Sequence, residues 1–213
     1  MTSKRSLIRR ATTVAAAAAA TAALVLAACG GNGGGSGSGP AHDEHGSSAS
    51  PSASAPARQG DRNAADTAFA QGMIPHHRQA VEMAGLAAAR AESAEVKKLA
   101  EEVRKAQDPE IRTLSGWLTS WGEKVPAAGE DHGGHGMPGM MAAEEMQQLT
   151  AASGKAFDTA FLQMMVKHHE GAVAMAKTEQ TDGAYRPAKD MAAAIITSQS
   201  AEIARMNTLL GTN

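Results

Sequence analysis

DTAFAQGMIPHHRQAVEMA, residues 66–84, returns as DTAFLQMMVKHHEGAVAMA, residues 158–176. The two stretches align without a gap at an offset of 92, and 12 of the 19 positions are identical. The offset persists downstream, placing Gln107 on Gln199, Glu110 on Glu202, Ile111 on Ile203, Leu114 on Met206 and Leu118 on Leu210. A repeat that continues through two successive periodic segments is a repeated supersecondary unit, so the fold follows from what one unit does.

Each unit reads as two helices. Asp66, Phe69, Met73, His77, Ala80 and Ala84 recur at three-, four- and seven-residue intervals, which puts them on one helix face at about 100° per residue. Leu99, Val103, Leu114, Trp117 and Trp121 form the matching stripe on the second helix. Pro75 lacks an amide donor and Pro109 follows Asp108, so a local kink or a short break is expected at each. Turns near Ala91 to Ala94 and near Gly183 to Ala184 fold each pair back on itself. Two such hairpins, at about 61–121 and 153–213, make an all-α four-helix bundle. The connection, about 122–152, holds EDHGGHGMPGMM, too Gly-rich for a helix, and then AAEEMQQLTAAS, which suits a short one. Its length fits either a same-end return or a crossover along the bundle.

Outside the repeats the chain changes character. MTSKRSLIRR carries Lys4, Arg5, Arg9 and Arg10, and Ala11 to Ala28 is apolar apart from Thr12, Thr13 and Thr21. That is the layout of an export signal, although its length is also near that of a membrane span. The run ends in Leu26-Ala27-Ala28-Cys29, which has the form of a bacterial lipobox. The expectation is a lipoprotein signal peptide over 1–28, with Cys29 lipidated and the protein exported and anchored to the outer face of the cell membrane. Residues 29–60 are Gly, Ser, Ala and Pro with almost no large apolar side chain, so they read as a tether. His42 and His45 within it read as solvated polarity. Residues 61–213 are the folded domain.

Composition removes several function classes. Cys29 is the only cysteine, which excludes a disulfide framework and a thiolate cage within one chain. The formal charge is −2, and removal of the four N-terminal basic residues leaves 16 basic against 22 acidic, a net −6, so nothing invites nucleic acid. No Ser/His/Asp or Cys/His arrangement and no phosphate-cradling Gly loop before a helix supports catalysis of those kinds.

The chemistry gathers on the repeats. Glu110 falls in the middle of the apolar stripe of its helix, and Glu202 does so among Met191, Ile195, Met206 and Leu209. A buried carboxylate needs partners. Antiparallel pairing brings His76 and His77 level with Gln107 to Glu110, and His168 and His169 level with Gln199 to Glu202. Either loop topology superposes the two layers. Two internal His–Glu hydrogen bonds would satisfy these groups without any metal. Against that stands a coincidence: each His pair has Met three residues before and seven after its first member, Met73 and Met83 around His76, Met165 and Met175 around His168. His132, His135, Met137, Met140 and Met141 form a second group in the connecting loop. Imidazole and thioether are neutral ligands of the kind that suits Cu(I), whereas Mg or Ca would need carboxylates and carbonyls.

The residues quoted, DTAF and MIPHH in the first copy, MVKHHEGAV in the second, the Q..EI pairs and the GMM loop, resemble the family catalogued as "domain of unknown function" 305, over about residues 61–213. The resemblance implies a ferritin-like four-helix bundle and, for some exported members, copper binding and resistance. It also implies that Met73, His76, His77, Met83, Met165, His168, His169 and Met175 occupy motif positions. Gln107-Asp108-Pro109-Glu110 departs from the pattern by its proline. Neither repeat has the Glu-x-x-His motif of ferritin-like di-iron sites, which lowers an oxidase reading, since fold does not set function. The expected function is therefore binding or buffering of a soft metal ion, copper first. A ferritin-like di-metal oxidoreductase and a metal-free module for an envelope protein partner stand as alternatives.

Overall fold

The computed structural model describes residues 61–129 and 136–211. Among these there are five helices and no strand: α1 (Ala64–Arg90), α2 (Ala94–Ser120), α3 (Ala143–Ala151), α4 (Gly154–Asp182) and α5 (Arg186–Leu210). None is long and apolar enough to cross a membrane. The expected lipidation site Cys29, the expected tether with His42 and His45, and loop residues His132 and His135 lie outside the described residues.

Both hairpin turns fall where the pattern places them. The periodic face of α1 is buried throughout, from Asp66 and Phe69 through Met73 and His77 to Ala84. The expected breaks at Pro75 and Pro109 do not occur, and α1 and α2 run through them. Pro75 is partly exposed and Pro109 exposed, so the carbonyls one turn back, at Gln71 and Lys105, stay near solvent. Fully buried neighbours, Met73, Ile74, His76 and His77 around Pro75, hold the backbone helical by packing.

The two hairpins cap each other. Asp66 accepts from the amides of Ala184 and Tyr185 in the α4–α5 turn, the shortest bond being 2.9 Å. Asp158, its equivalent in the second repeat, accepts from Glu92 and Ser93 in the α1–α2 turn at 3.1 and 2.8 Å. The start of each hairpin therefore meets the turn of the other, so α1 and α4 pack antiparallel. Since α2 ends beside Arg62, which donates to the Trp121 carbonyl, the chain must travel the length of the bundle to begin α4. The connection is a crossover, giving the up-down-down-up order of ferritin-like bundles. It follows α1: Gln71 donates to the Lys124 carbonyl, Arg78 to Pro126, Gln79 to Met141 and Arg90 to Ala152.

The core falls into two clusters. One joins the second half of α1 and the first half of α4 around Met83, Leu99, Phe157, Phe161 and Met165. The other joins the first half of α1 and the second half of α4 around Phe69, Met73, Leu114, Ala172 and Ile195. Between them lies the histidine layer. Three large side chains expected in the stripes lie further out: Trp117 and Trp121 are partly buried, each edge-on to Tyr185, and Leu209 is 38% exposed.

Candidate metal centre

His76, His77, His168 and His169 are all 0% exposed. Their positions follow from helix period and the antiparallel crossing, which bring the middle of α1 against the middle of α4. The rings of His76 and His168 meet at a centroid distance of 3.8 Å with a tilt of 44°. Their partners in sequence turn outward to the outer helices. His77 Nε2 lies 2.7 Å from Glu110, and His169 Nε2 lies 2.6 Å from Glu202. The His–Glu pairing read from the two hairpins is thus present in both.

The carboxylates are not core groups. The side chains of Glu110 and Glu202 are 23% and 21% exposed, so water reaches them and each pair sits at the rim of its hairpin. The stripe places them centrally, but the bundle closes through α1 and α4, which leaves part of the α2 and α5 faces at the edge. Gln107 and Gln199, one turn earlier, are buried instead, each with an unpartnered amide oxygen.

The ring nitrogens define what the layer can hold. His76 Nε2 donates to the Pro138 carbonyl at 3.1 Å, because a carbonyl only accepts. Its Nδ1 therefore carries a bare lone pair. His77 and His169 use Nε2 on Glu110 and Glu202, which leaves each Nδ1 on the buried side of its ring. These three Nδ1 atoms and both nitrogens of His168 are buried without a hydrogen-bond partner. Burial pushes the His76 pKa down to about 3, with His77 adding repulsion and the Pro138 carbonyl opposing weakly. Burial likewise holds His168 well below its ordinary value, reinforced by His76, His169 and His77 and opposed by a contact with the His76 backbone that falls short of hydrogen-bond geometry. Both rings are neutral at physiological pH, which is the ligand form.

Methionines surround this layer on both sides. Met73 and Met165 are fully buried one turn before the His pairs, and Met83 is fully buried two turns after the first. Met175 is partly exposed. The loop methionines do not stand apart from the bundle. Met141 is 3% exposed in the core, its amide donating to Gln79 at 2.7 Å and its carbonyl accepting from Gln79 at 2.9 Å. Met137 and Met140 are partly exposed on the same strap. Gly139, at φ +81°, sits where a Cβ would lie 2.9 Å from the His168 carbonyl, and bare Gly171 on α4 leaves room for Pro138. Residues 136–142 thus form a strap across the α1–α4 seam, over the His76–His168 pair.

Among the described residues no three His, Cys, Asp or Glu side chains converge on one point. That geometry fits poorly with a carboxylate-rich di-metal centre, since each glutamate is paired within its own hairpin. It fits a closed-shell monovalent ion, which accepts few ligands and favours neutral nitrogen and sulfur.

Sequence reasoning missed four features. The caps Asp66 and Asp158 open the repeat as its first identical residue, which was a signal. The Gln79 clamp had none. Gln107 and Gln199 were visible as an aligned pair. Glu179, 1% exposed, is unheralded because Ala87 occupies its place in the first repeat. Burial and the facing Asp66 carboxylate raise its pKa to about 8.

Comparison with known proteins is consistent with this architecture. A protein of known crystal structure from Streptomyces coelicolor is 35% identical, with a TM-score of 0.63, covering 69% of this chain and 92% of that one. CopM in its Cu(II)-bound form is 36% identical, with a TM-score of 0.60, covering 68% and 94%. The Cu(I)-bound form of CopM gives 33% identity and a TM-score of 0.56 over 68% and 94%. Among curated proteins none matches. Residues 66–210 match the model of the domain of unknown function DUF305, and the chain belongs to that family.

Proposed function

We propose that the protein is an exported lipoprotein, held at the outer face of the cell membrane through Cys29, that binds or buffers a soft monovalent metal ion, copper first. The observation that carries this reading is the His76–His168 pair: two neutral, fully buried imidazoles in contact, with three of their four ring nitrogens unpartnered. An unsatisfied buried polar group costs about 1–3 kcal/mol, so a pair kept in this state fits a ligand better than it fits structure alone. Met73 and Met165, one turn away on each helix, supply thioethers of matching softness. His77 and His169 complete the layer, oriented by Glu110 and Glu202 as outer-shell carboxylates orient ligating histidines. Met137 and Met140, partly exposed on the strap, extend the donor set outward, Met141 adds a buried thioether, and the connecting-loop sequence supplies two more imidazoles in His132 and His135. CopM, a relative with bound Cu(I) and Cu(II), supports copper as the cargo.

Cu(I) titration against a competing chromophoric chelator tests the reading. The wild type should withdraw Cu(I) from the chelator, and His76→Phe/His168→Phe should weaken that binding by on the order of a hundredfold or more. Equal binding by the two would remove the buried pair as the site. Fatty-acid labelling tests the anchor separately, with Cys29→Ala expected to abolish it.

A further inference from the structure

Gly72 lies one helical turn before His76 on α1, and the second repeat carries Met164 at that place. A Cβ on Gly72 would stand 3.0 Å from the Met175 Cε and 3.8 Å from the Met137 Sδ. Two thioether side chains, one from α4 and one from the strap, therefore converge over a bare patch of α1. This is unlike the core methionines Met73, Met83, Met165 and Met206, which are 0% exposed. Met137 and Met175 are both partly exposed, and Met137 borders an open cavity of about 350 Å³ shared with Gln71, Gly72, Pro75, Lys124 and Pro126. The next strap residue, Pro138, holds His76 Nε2. The thioether patch is thus one residue along the strap, and one turn along α1, from the buried pair.

The geometry points to a second soft-metal site: Met137 and Met175, meeting over Gly72, capture a monovalent soft cation from solution and are the entry station for the His76–His168 pair. This rests on the metal-binding reading above. Two neutral thioethers select a polarizable monovalent ion over the hard divalent ions that prefer oxygen. The buried rings have no exposure of their own, and Pro138 of the strap lies against His76, so lifting the strap opens a path to the pair. Transfer exchanges sulfur ligands for nitrogen ones. It releases no proton, because His76 already carries a bare Nδ1. The strap that bears one thioether is also the cover, so capture and opening act on the same segment.

The test uses the full chain and Cu(I) delivered as a chelator complex, with loading followed by stopped-flow absorbance. Met137→Leu/Met175→Leu preserves side-chain volume and should fold normally. It is expected to load on the order of tenfold more slowly than wild type, with the buried pair filled at equilibrium. Gly72→Ala provides a second variant that favours the helix while placing a methyl group between the thioethers, and it should slow loading in the same direction. Wild-type loading rates in both variants would overturn the entry site while leaving the buried pair intact. Failure of the wild type to take Cu(I) at all would instead overturn the metal-binding reading, and this site with it.

Discussion

His76 and His168 lie 3.8 Å apart, ring centre to ring centre, and of their four nitrogens only His76 Nε2 has a hydrogen-bond partner. The protein thus keeps two apolar-surrounded imidazoles neutral and largely unsatisfied at the centre of its bundle. Such an arrangement leaves a signature in the metal-free protein, where stability depends on pH in a calculable direction. A second buried group, Glu179, acts with the opposite sign over part of the same range.

Glu179 has a folded-state pKa of about 8, raised by burial and by the facing Asp66 carboxylate. In an unfolded chain it titrates near its usual value of about 4.3. Its stabilising contribution is complete below the unfolded value and is lost as pH rises through about 8. Glu179→Gln, neutral throughout, should remove this slope of at most about 1.4 kcal/mol per pH unit and be more stable than wild type at pH about 8.5. Urea melts of metal-free protein across that range decide it. Parallel curves would show that the carboxyl is not held protonated.

In the Glu179→Gln background the limb between about pH 6.5 and 4.5 reports the two buried histidines. His76 and His168 have lowered folded-state pKa values, so the unfolded chain binds protons that the folded chain refuses. Their contribution is complete above about 6.5 and falls as pH drops, by at most about 1.4 kcal/mol per pH unit for each ring. His76→Leu/His168→Leu should flatten this limb. A metal-free protein equally stable at both ends of that range would contradict the buried neutral pair.

The reciprocal caps give a symmetric prediction. Asp66→Ala strips the α4–α5 turn of its acceptor, and Asp158→Ala strips the α1–α2 turn. Each should cost about 1.5–3 kcal/mol, the range for hydrogen bonds to a charged group. Because the two caps lie at opposite ends of the bundle, the double variant should lose the sum within about 0.5 kcal/mol. Thermal melts and amide exchange in the turn opposite each mutation provide the check.

Gly171→Ala tests the strap. A Cβ there would collide with the Pro138 carbonyl and come within 2.7 Å of the Gly139 Cα, and backbone cannot yield as a side-chain end can. The strap should lift, breaking the His76–Pro138 bond at a cost of about 1–3 kcal/mol. Faster amide exchange at Met141, with helix content retained, is the expected result. Unchanged protection would mean that the strap does not bear on α4.

The loop methionines belong in part to the bundle. Their Gly-rich setting suggests a segment independent of the bundle, yet Met141 is a core side chain and Pro138 touches His76. Replacing the whole loop set should therefore destabilise the fold rather than leave it untouched. Differential scanning calorimetry of Met141→Ala, expected to lose about 2–5 kcal/mol if its site cannot collapse, measures this directly.

Helix period, the repeat and the two turns were legible in the sequence because they are local: about 100° per residue sets which side chains share a face, and a short turn sets which residues stand level across a hairpin. This was sufficient for the four helices, for a His–Glu pair within each hairpin, and for the two His pairs sharing a layer, while which histidine takes the glutamate came from the packing. Continuity through Pro75 was decided by tertiary packing, which outweighs a local breaker. So was the partial exposure of Glu110 and Glu202, which depends on how far α2 and α5 rotate against the α1–α4 pair. The crossover path, the Asp66 and Asp158 caps, and the meeting of Met137 with Met175 over Gly72 join residues far apart in sequence. No local period encodes such contacts; they exist only once α1 and α4 have set their crossing and the strap has found the seam between them.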